Sequence, residues 1–344
     1  FAPEYPYRTG TTQMLIRNFE QLAEVGTADY HLKPQDLVID IATNDGTLLK
    51  GFKAKGMKVL GIEPTDAAQD ANQAGIPTIQ AFFTSQLAQQ VIAEHGPAKV
   101  ITITNAFAHM NQLHDVLQGI KILLADDGVF ISESQYLLAA YEQHAFDTIY
   151  HEHLRYYSTK SLAFLFKQVG MSLVDAERIA AAGGSIRAYA MQGDKPASQR
   201  LKELIKTEEQ AGLYDEQKLN TFARDAVIAK HKLVKLLLDI KKPDIRIAAI
   251  GSPARSNTLL GFARVDTDLI DCAYEIKGSP KIGLYTPGMH IPVLNETQLF
   301  QDQPDYALML SWHIGDELMK KLRQLGYKGK FIMPLPEAHV VKDI

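Results

Sequence analysis

From Asp147 to Tyr157 the chain reads Asp147-Thr-Ile-Tyr-His-Glu-His-Leu-Arg-Tyr-Tyr157. These eleven residues gather three tyrosines, two histidines, a glutamate, an aspartate and an arginine. They follow what reads as the last core strand of a nucleotide-binding sheet. So many titratable groups at the mouth of a sheet point to proton chemistry. A solvated loop with aromatic anchors has the same composition, and the segment alone leaves both readings open. Histidine, with an unperturbed pKa of about 6.5, is the side chain nearest to a base at neutral pH. Ligating side chains at 151, 152 and 153 cannot share one strand face, so no metal site is expected there.

The elements that must position this segment follow from periodicity. Met14, Leu15, Phe19, Leu22 and Val25 predict a helix over 11–25. Strands are expected at 36–40, 58–62, 77–80, 99–104 and 128–133, separated by helices from Thr47, near 66–74, at 84–94 and at 111–124. That alternation implies a parallel sheet with helices on both faces. A helix at 159–169 leads to strands 171–174 and 185–190, an expected antiparallel edge pair because no long helix separates them. Residues 195–240 look all-helical. A second alternating unit begins with strand 245–250, a Gly-Ser-Pro turn and a helix to Phe262, followed by strands at 269–274, 306–310 and 330–333 and helices at 295–300 and 313–325. The fold class expected is α/β: two Rossmann-like domains joined by helices. The expected boundaries are an N-terminal arm and helix (1–35), a first Rossmann-like domain (36–194), a helical linker (195–240) and a C-terminal domain (241–344).

The first strand–helix turn, Asp40-Ile-Ala-Thr-Asn-Asp-Gly46, has one glycine and two acids after Asp40 is counted with Asp45. A dinucleotide fold needs Gly-x-Gly-x-x-Gly for its pyrophosphate. An acidic turn suits a sulfonium that bears an ammonium group, which favours S-adenosylmethionine over NAD. Glu63, at the end of the second strand, offers two acceptor oxygens to ribose hydroxyls. Phe82 and Phe83 follow the third strand, where an adenine could stack; Phe83 is the candidate, with core packing expected of one of the two. In the second unit, Gly251-Ser-Pro-Ala-Arg255 is a natural place for phosphate, with Arg255 as a bidentate clamp, Ser256 and Asn257 nearby and Lys277 adding charge. A purely structural turn and solvated lysines are the competing readings.

A chain of 344 residues with a formal net charge of −4 gives no reason to expect nucleic acid or a membrane surface as partner. The single cysteine, Cys272, excludes an internal disulfide and any Cys-based zinc site within this sequence, and fits a cytoplasmic setting. No signal peptide is visible, although the chain opens without methionine. Nothing fixes the oligomeric state; a monomer is the working expectation.

Several motifs in order resemble one family: Ile39-Asp-Ile-Ala-Thr-Asn-Asp-Gly-Thr-Leu-Leu49, Asn105-Ala-Phe-Ala-His-Met110, Phe146-Asp-Thr-Ile-Tyr-His-Glu-His-Leu154, Gly183-Gly-Ser-Ile-Arg187, Gly251-Ser-Pro-Ala-Arg-Ser-Asn-Thr-Leu-Leu260 and Pro287-Gly-Met-His-Ile-Pro-Val293. The sequence resembles the sugar C-methyltransferases of deoxysugar biosynthesis, which methylate a ring carbon of a nucleotide-linked keto sugar. The resemblance implies a class I methyltransferase domain and a Rossmann-like domain that helps hold the sugar nucleotide. It also implies an N-terminal cysteine-bound zinc module, so either such a module precedes Phe1 or this is a variant without it. Ala42 stands where a glycine is usual in the cofactor turn, and His313 where an asparagine is usual.

Carbon methylation beside a ketone needs a proton removed and an enolate held. By resemblance His153 is the candidate base and Glu152 its orienting or sugar-binding neighbour. Tyr150 and His109 are donors to the enolate oxygen. Asp40, Ala42, Asn44, Gly46, Glu63, Phe83 and Asn105 are expected around the cofactor, and Tyr5 and Tyr7 over the sugar. His151 is read as satisfying buried carbonyls. Competing functions are an O- or N-methyltransferase on a sugar nucleotide and an NAD-dependent sugar-nucleotide oxidoreductase.

Overall fold

The computed structural model describes residues 8–11 and 13–342. The chain divides into two compact units. The first comprises residues up to Leu137 together with Leu154–Ala211, and the second comprises Leu138–His153 together with Gly212 onward. Among the described residues no helix is long and apolar enough to cross a membrane.

The first unit opens with α1 (Gln13–Asp29), whose Leu15, Phe19, Leu22, Ala23 and Gly26 form one buried stripe at helical spacing. Alternation then gives β1 (Leu37–Ile41), α2 (Thr47–Ala54), β2 (Lys58–Ile62), α3 (Ala67–Gln73), β3 (Thr78–Ile79), α4 (Ser85–His95), β4 (Ala98–Thr104), α5 (Leu113–Leu123) and β5 (Leu124–Gln135). After α6 (Leu137–Glu142), which falls almost wholly in the second unit, come α7 (Thr159–Lys167), β6 (Met171–Ile179), β7 (Ser185–Gln192) and α8 (Gln199–Gln210). The sheet order is β3-β2-β1-β4-β5-β7-β6. Strands β1 to β5 are parallel, while β7 runs antiparallel to both β5 and β6. All five residues of β1 are buried, as expected of a strand covered on both faces.

The second unit holds α9 (Glu216–Ile240), β8 (Ile247–Ile250), α10 (Ala254–Ala263), β9 (Ala273–Glu275), β10 (Val293–Asn295), α11 (Glu296–Asp302), β11 (Tyr306–Met309), α12 (Gly315–Gln324), β12 (Lys330–Met333) and β13 (His339–Val340). Its sheet order is β10-β9-β8-β11-β12-β13, parallel except for β13. The order reverses between β8 and β11, the switch point at which open α/β sheets take ligands beyond their carboxyl ends.

Three expectations change. The strand expected at 269–274 is reduced to its last residues, because Leu269 and Ile270 donate to Asp266 O in a turn. The segment 138–153, expected inside the first Rossmann-like domain, packs in the second unit: Ala145 and Phe146 join the core formed by β8, α10 and β11. Helices α8 and α9, expected as one linker, fall one in each unit.

Candidate active site

In the first unit the candidate cofactor residues converge at the carboxyl ends of β1, β2 and β4. The turn after β1 is held by an alternation of left-handed residues: Ala42 (φ 59°), Asn44 (φ 54°) and Gly46 (φ 75°). Asparagine and glycine enter this region readily, whereas alanine is strained there. A Cβ at Gly46 would sit 3.1 Å from Ile76, a tight approach that adds to the preference its positive φ already gives glycine. Glu63, buried at the end of β2, ties the turn down. Its Oε2 accepts the Asn44 N–H at 2.9 Å, and its Oε1 accepts the N–H and the hydroxyl of Thr65 at 3.0 and 2.7 Å. Asn105, following β4, is also left-handed (φ 56°), and its N–H donates to Glu133 O.

Asp40 lies beneath this turn and is only 1% exposed. Its Oδ1 accepts the Thr102 hydroxyl at 2.6 Å, and burial pushes its pKa up to about 7. It therefore supports the turn from below, sealed from solvent, whereas the sequence places it among the cofactor residues. Over the turn run Thr9 and Gly10, whose N–H groups donate to Asn44 Oδ1 at 2.9 Å and Asp45 Oδ2 at 2.8 Å. Arg8 beside them pairs with Asp66 and Asp70. The two adjacent phenylalanines after β3, of which Phe83 is the one expected at the adenine, differ in exposure. Phe83 is 8% exposed and meets Gly119 of α5, whereas Phe82 is 66% exposed. Burial decides between adjacent aromatics here, and their order in the sequence does not. Tyr5 and Tyr7 lie outside the described residues.

The donor set fits S-adenosylmethionine. An ionised carboxylate has about four acceptor positions, and Glu63 engages three protein donors, leaving capacity for a ribose hydroxyl. Asn44 lies beside it and Asn105 follows β4 on the far side of β1, and the sequence of the turn carries no second glycine for a pyrophosphate approach.

In the second unit the segment from Phe146 to His153 is fastened to α10. Asp147 is fully buried, and its carboxylate takes two hydrogen bonds from Arg255, Nε to Oδ2 and Nη2 to Oδ1, both at 2.8 Å. The indole Nε1 of Trp312 donates to Oδ2 at 2.8 Å, and the Arg255 guanidinium lies 4.8 Å above the Trp312 ring. The Thr258 hydroxyl donates to Ile149 O, and the Phe146 and Phe262 rings meet edge to face. His153 is half-buried. Its Nδ1 is 2.8 Å from Thr148 O, and its ring centroid is 4.1 Å from that of Tyr150. A carbonyl oxygen can only accept, so Nδ1 carries the proton and the neutral ring has its lone pair on Nε2. Burial, then the nearby Arg255 charge, pulls the His153 pKa down to about 4. Glu152 is half-buried. His151 is 86% exposed, so it satisfies no buried carbonyl as the sequence suggested.

The four expected phosphate ligands are otherwise engaged or placed. Arg255 is committed to Asp147, so it is not a pyrophosphate clamp. The Ser256 hydroxyl is buried and donates to Pro253 O at 2.6 Å. Lys277 is exposed in a loop, and Asn257 is half-buried with a buried Oδ1 that has no hydrogen-bond partner among the described residues. The switch-point turn is instead closed by its own groups. Ser252 N–H donates to Glu275 Oε2 at 2.9 Å, Lys281 Nζ donates to Ser252 O, and a Cβ at Gly251 would lie 2.6 Å from Ser311 Oγ. In the sequence Asp147 stands only as the first residue of the titratable stretch and His313 only as a departure from the family pattern, while Trp312 carries no signal. Asp147 and Arg255 lie 108 positions apart, and no local pattern links them. His109, in the first unit, sits half-buried in the one-turn helix Phe107–His109 after β4.

A seven-stranded sheet with a single reversed strand between its last two neighbours, an acid-anchored turn after β1 and a carboxylate ending β2 define an S-adenosylmethionine-dependent methyltransferase of class I. The matches to known proteins specify the reaction further. Residues 12–176 match the methyltransferase domain family and residues 180–336 the C-methyltransferase C-terminal domain family. The C-methyltransferase NovU of Streptomyces niveus is 30% identical over 341 residues, 98% of this chain and 81% of that protein. The chain belongs to this C-methyltransferase family.

Solved structures similar to the chain include an S-adenosylmethionine-dependent methyltransferase from Clostridium acetobutylicum (13% identity, TM-score 0.43, covering 52% of this chain and 92% of that one). Another is the magnesium protoporphyrin IX methyltransferase of Synechocystis with bound S-adenosylhomocysteine (15% identity, TM-score 0.40, 52% and 83%).

Proposed function

We propose that the protein methylates a ring carbon next to the ketone of a nucleotide-linked keto-deoxysugar, with His153 as the base. The observation that carries this reading is the Nδ1 bond of His153 to Thr148 O, which directs the basic lone pair of the neutral ring to Nε2. The family match to a C-methyltransferase supports transfer to carbon.

When bound, S-adenosylmethionine supplies an electrophilic methyl group on a positively charged sulfur. Glu63, Asn44 and Asn105 would hold it at the turn from Ala42 to Gly46, with Phe82 as the exposed ring available to its adenine. His153 Nε2 accepts the proton from the carbon beside the ketone, and the electron pair moves onto the ketone oxygen. Tyr150 donates a hydrogen bond to that oxygen as charge develops. Glu152 orients the sugar through its hydroxyls. A base whose conjugate acid has a pKa near 4 has little drive of its own toward a carbon acid. Most of the barrier reduction therefore falls to oxyanion stabilisation and placement.

Deuterium exchange tests the reading. A panel of uridine- and thymidine-diphosphate-linked keto sugars is incubated in D2O with the protein, with and without S-adenosylmethionine. Exchange at a carbon flanking the ketone, lost in His153→Gln, is expected. Methyl transfer to a sugar oxygen with no exchange at carbon would overturn the proposal.

A further inference from the structure

We propose that Asp147 is a positioning residue for the base: clamped by Arg255 and Trp312, it fixes the one-turn helix whose Thr148 carbonyl sets the tautomer of His153. The inference rests on the reading of His153 as base, and its test separates the two.

The geometry forms a short chain of contacts. Asp147 has no exposed surface, and three donors from two elements that are distant in sequence converge on its two oxygens. Such a carboxylate cannot move without unpairing a buried guanidinium, so Asp147 has a single position. Asp147 lies within the one-turn helix Phe146–Thr148, which the Phe146–Phe262 contact and the Thr258 bond to Ile149 O also hold. The next residue, Thr148, presents the carbonyl that receives the Nδ1 proton of His153, while the His153 N–H donates to Tyr150 O. A fixed acceptor selects one tautomer, and with it which ring nitrogen can take a proton. Asp147 touches neither reacting atom. It acts through Thr148.

The test is nitrogen-15 spectroscopy of histidine-labelled full-length chain, which reports the protonated nitrogen of His153 directly. The wild-type chain is expected to show the Nδ1–H form. In Asp147→Asn, which strands the Arg255 charge, the Nδ1–H signal gives way to a mixture. S-adenosylmethionine affinity by calorimetry stays within about twofold, because the residues that hold it are elsewhere. With the sugar nucleotide that exchanges in the experiment above, kcat falls about 10²-fold, the scale of lost base catalysis. The double variant Asp147→Asn with Arg255→Gln restores neutrality and recovers the Nδ1–H signal. If Asp147→Asn does not fold, Trp312→Phe, which removes one donor, decides by the same signal. A wild-type tautomer in the folded variants would overturn the inference. Full turnover in His153→Gln would instead overturn the base assignment, and the tautomer measurement would stand apart from it.

Discussion

The carboxylate of Glu63 accepts the backbone N–H of Asn44 at 2.9 Å, joining the end of β2 to the turn after β1. One side chain thus shapes the cofactor turn and is the candidate acceptor for the cofactor ribose. Glu63→Gln should damage both roles. The amide nitrogen of glutamine would face either Asn44 N–H or the two Thr65 donors, leaving a buried donor unpaired at a cost of about 1–3 kcal/mol. Thermal unfolding should register that loss, and calorimetry should show S-adenosylmethionine binding weakened by about 10- to 100-fold. Wild-type affinity in the variant would remove Glu63 from the cofactor site.

Asp40 should be a residue whose replacement stabilises the fold while impairing the site. Burial holds its folded pKa at about 7, above the unfolded value of about 3.9. The native state therefore binds more protons than the unfolded state between those values, and stability is lost as pH rises through 7. Asp40→Asn keeps an acceptor for Thr102 and removes the buried charge. Its Tm should exceed the wild type's at pH 8, with the gap closing by pH 5. A constant gap across that range would contradict the buried-charge argument.

His153 and His313 titrate in the opposite sense. Burial, with Arg255 nearby, draws each down to about 4. The unfolded chain then binds more protons between about pH 4 and 6.5, so stability is full above 6.5 and falls as pH drops toward 4. The same shift keeps the proposed base, His153, neutral throughout the neutral range. On its acid side, kcat/KM should show no break near 6.5. A break there, absent in His153→Gln, would show that the ring titrates like an ordinary histidine.

Ala42 offers a test of backbone strain. Its φ of 59° costs about 1–2 kcal/mol for a residue with a Cβ. Ala42→Gly relieves that strain and costs about 0.4–1 kcal/mol in unfolded-state entropy. Urea unfolding should show a net gain of about 0.5–1 kcal/mol. Ala42→Val should be clearly destabilised, since a β-branched residue is poorly accommodated at positive φ.

Much of the architecture could be read along the chain, because it rests on local periodicity. Leu15, Phe19 and Leu22 announce α1, and the fully apolar flanks of Asp40 announce a strand buried on both faces. The edge pair β6 and β7 followed from the missing helix between them. The turn residues Ala42, Asn44 and Gly46 and the acid Glu63 were legible because strand ends fall at fixed places in an alternating pattern. What remained hidden depends on distance through space. Nothing local shows that Arg255 turns inward to Asp147 and not outward to a phosphate, that Phe82 and not Phe83 is the exposed ring, or that Asp40 is sealed under the turn. Sequence sets which groups are available and at what spacing along each element. Burial and long-range pairing decide which of them are charged, which are exposed and which are already engaged, because solvation and Coulomb energies depend on neighbours that only the folded chain supplies.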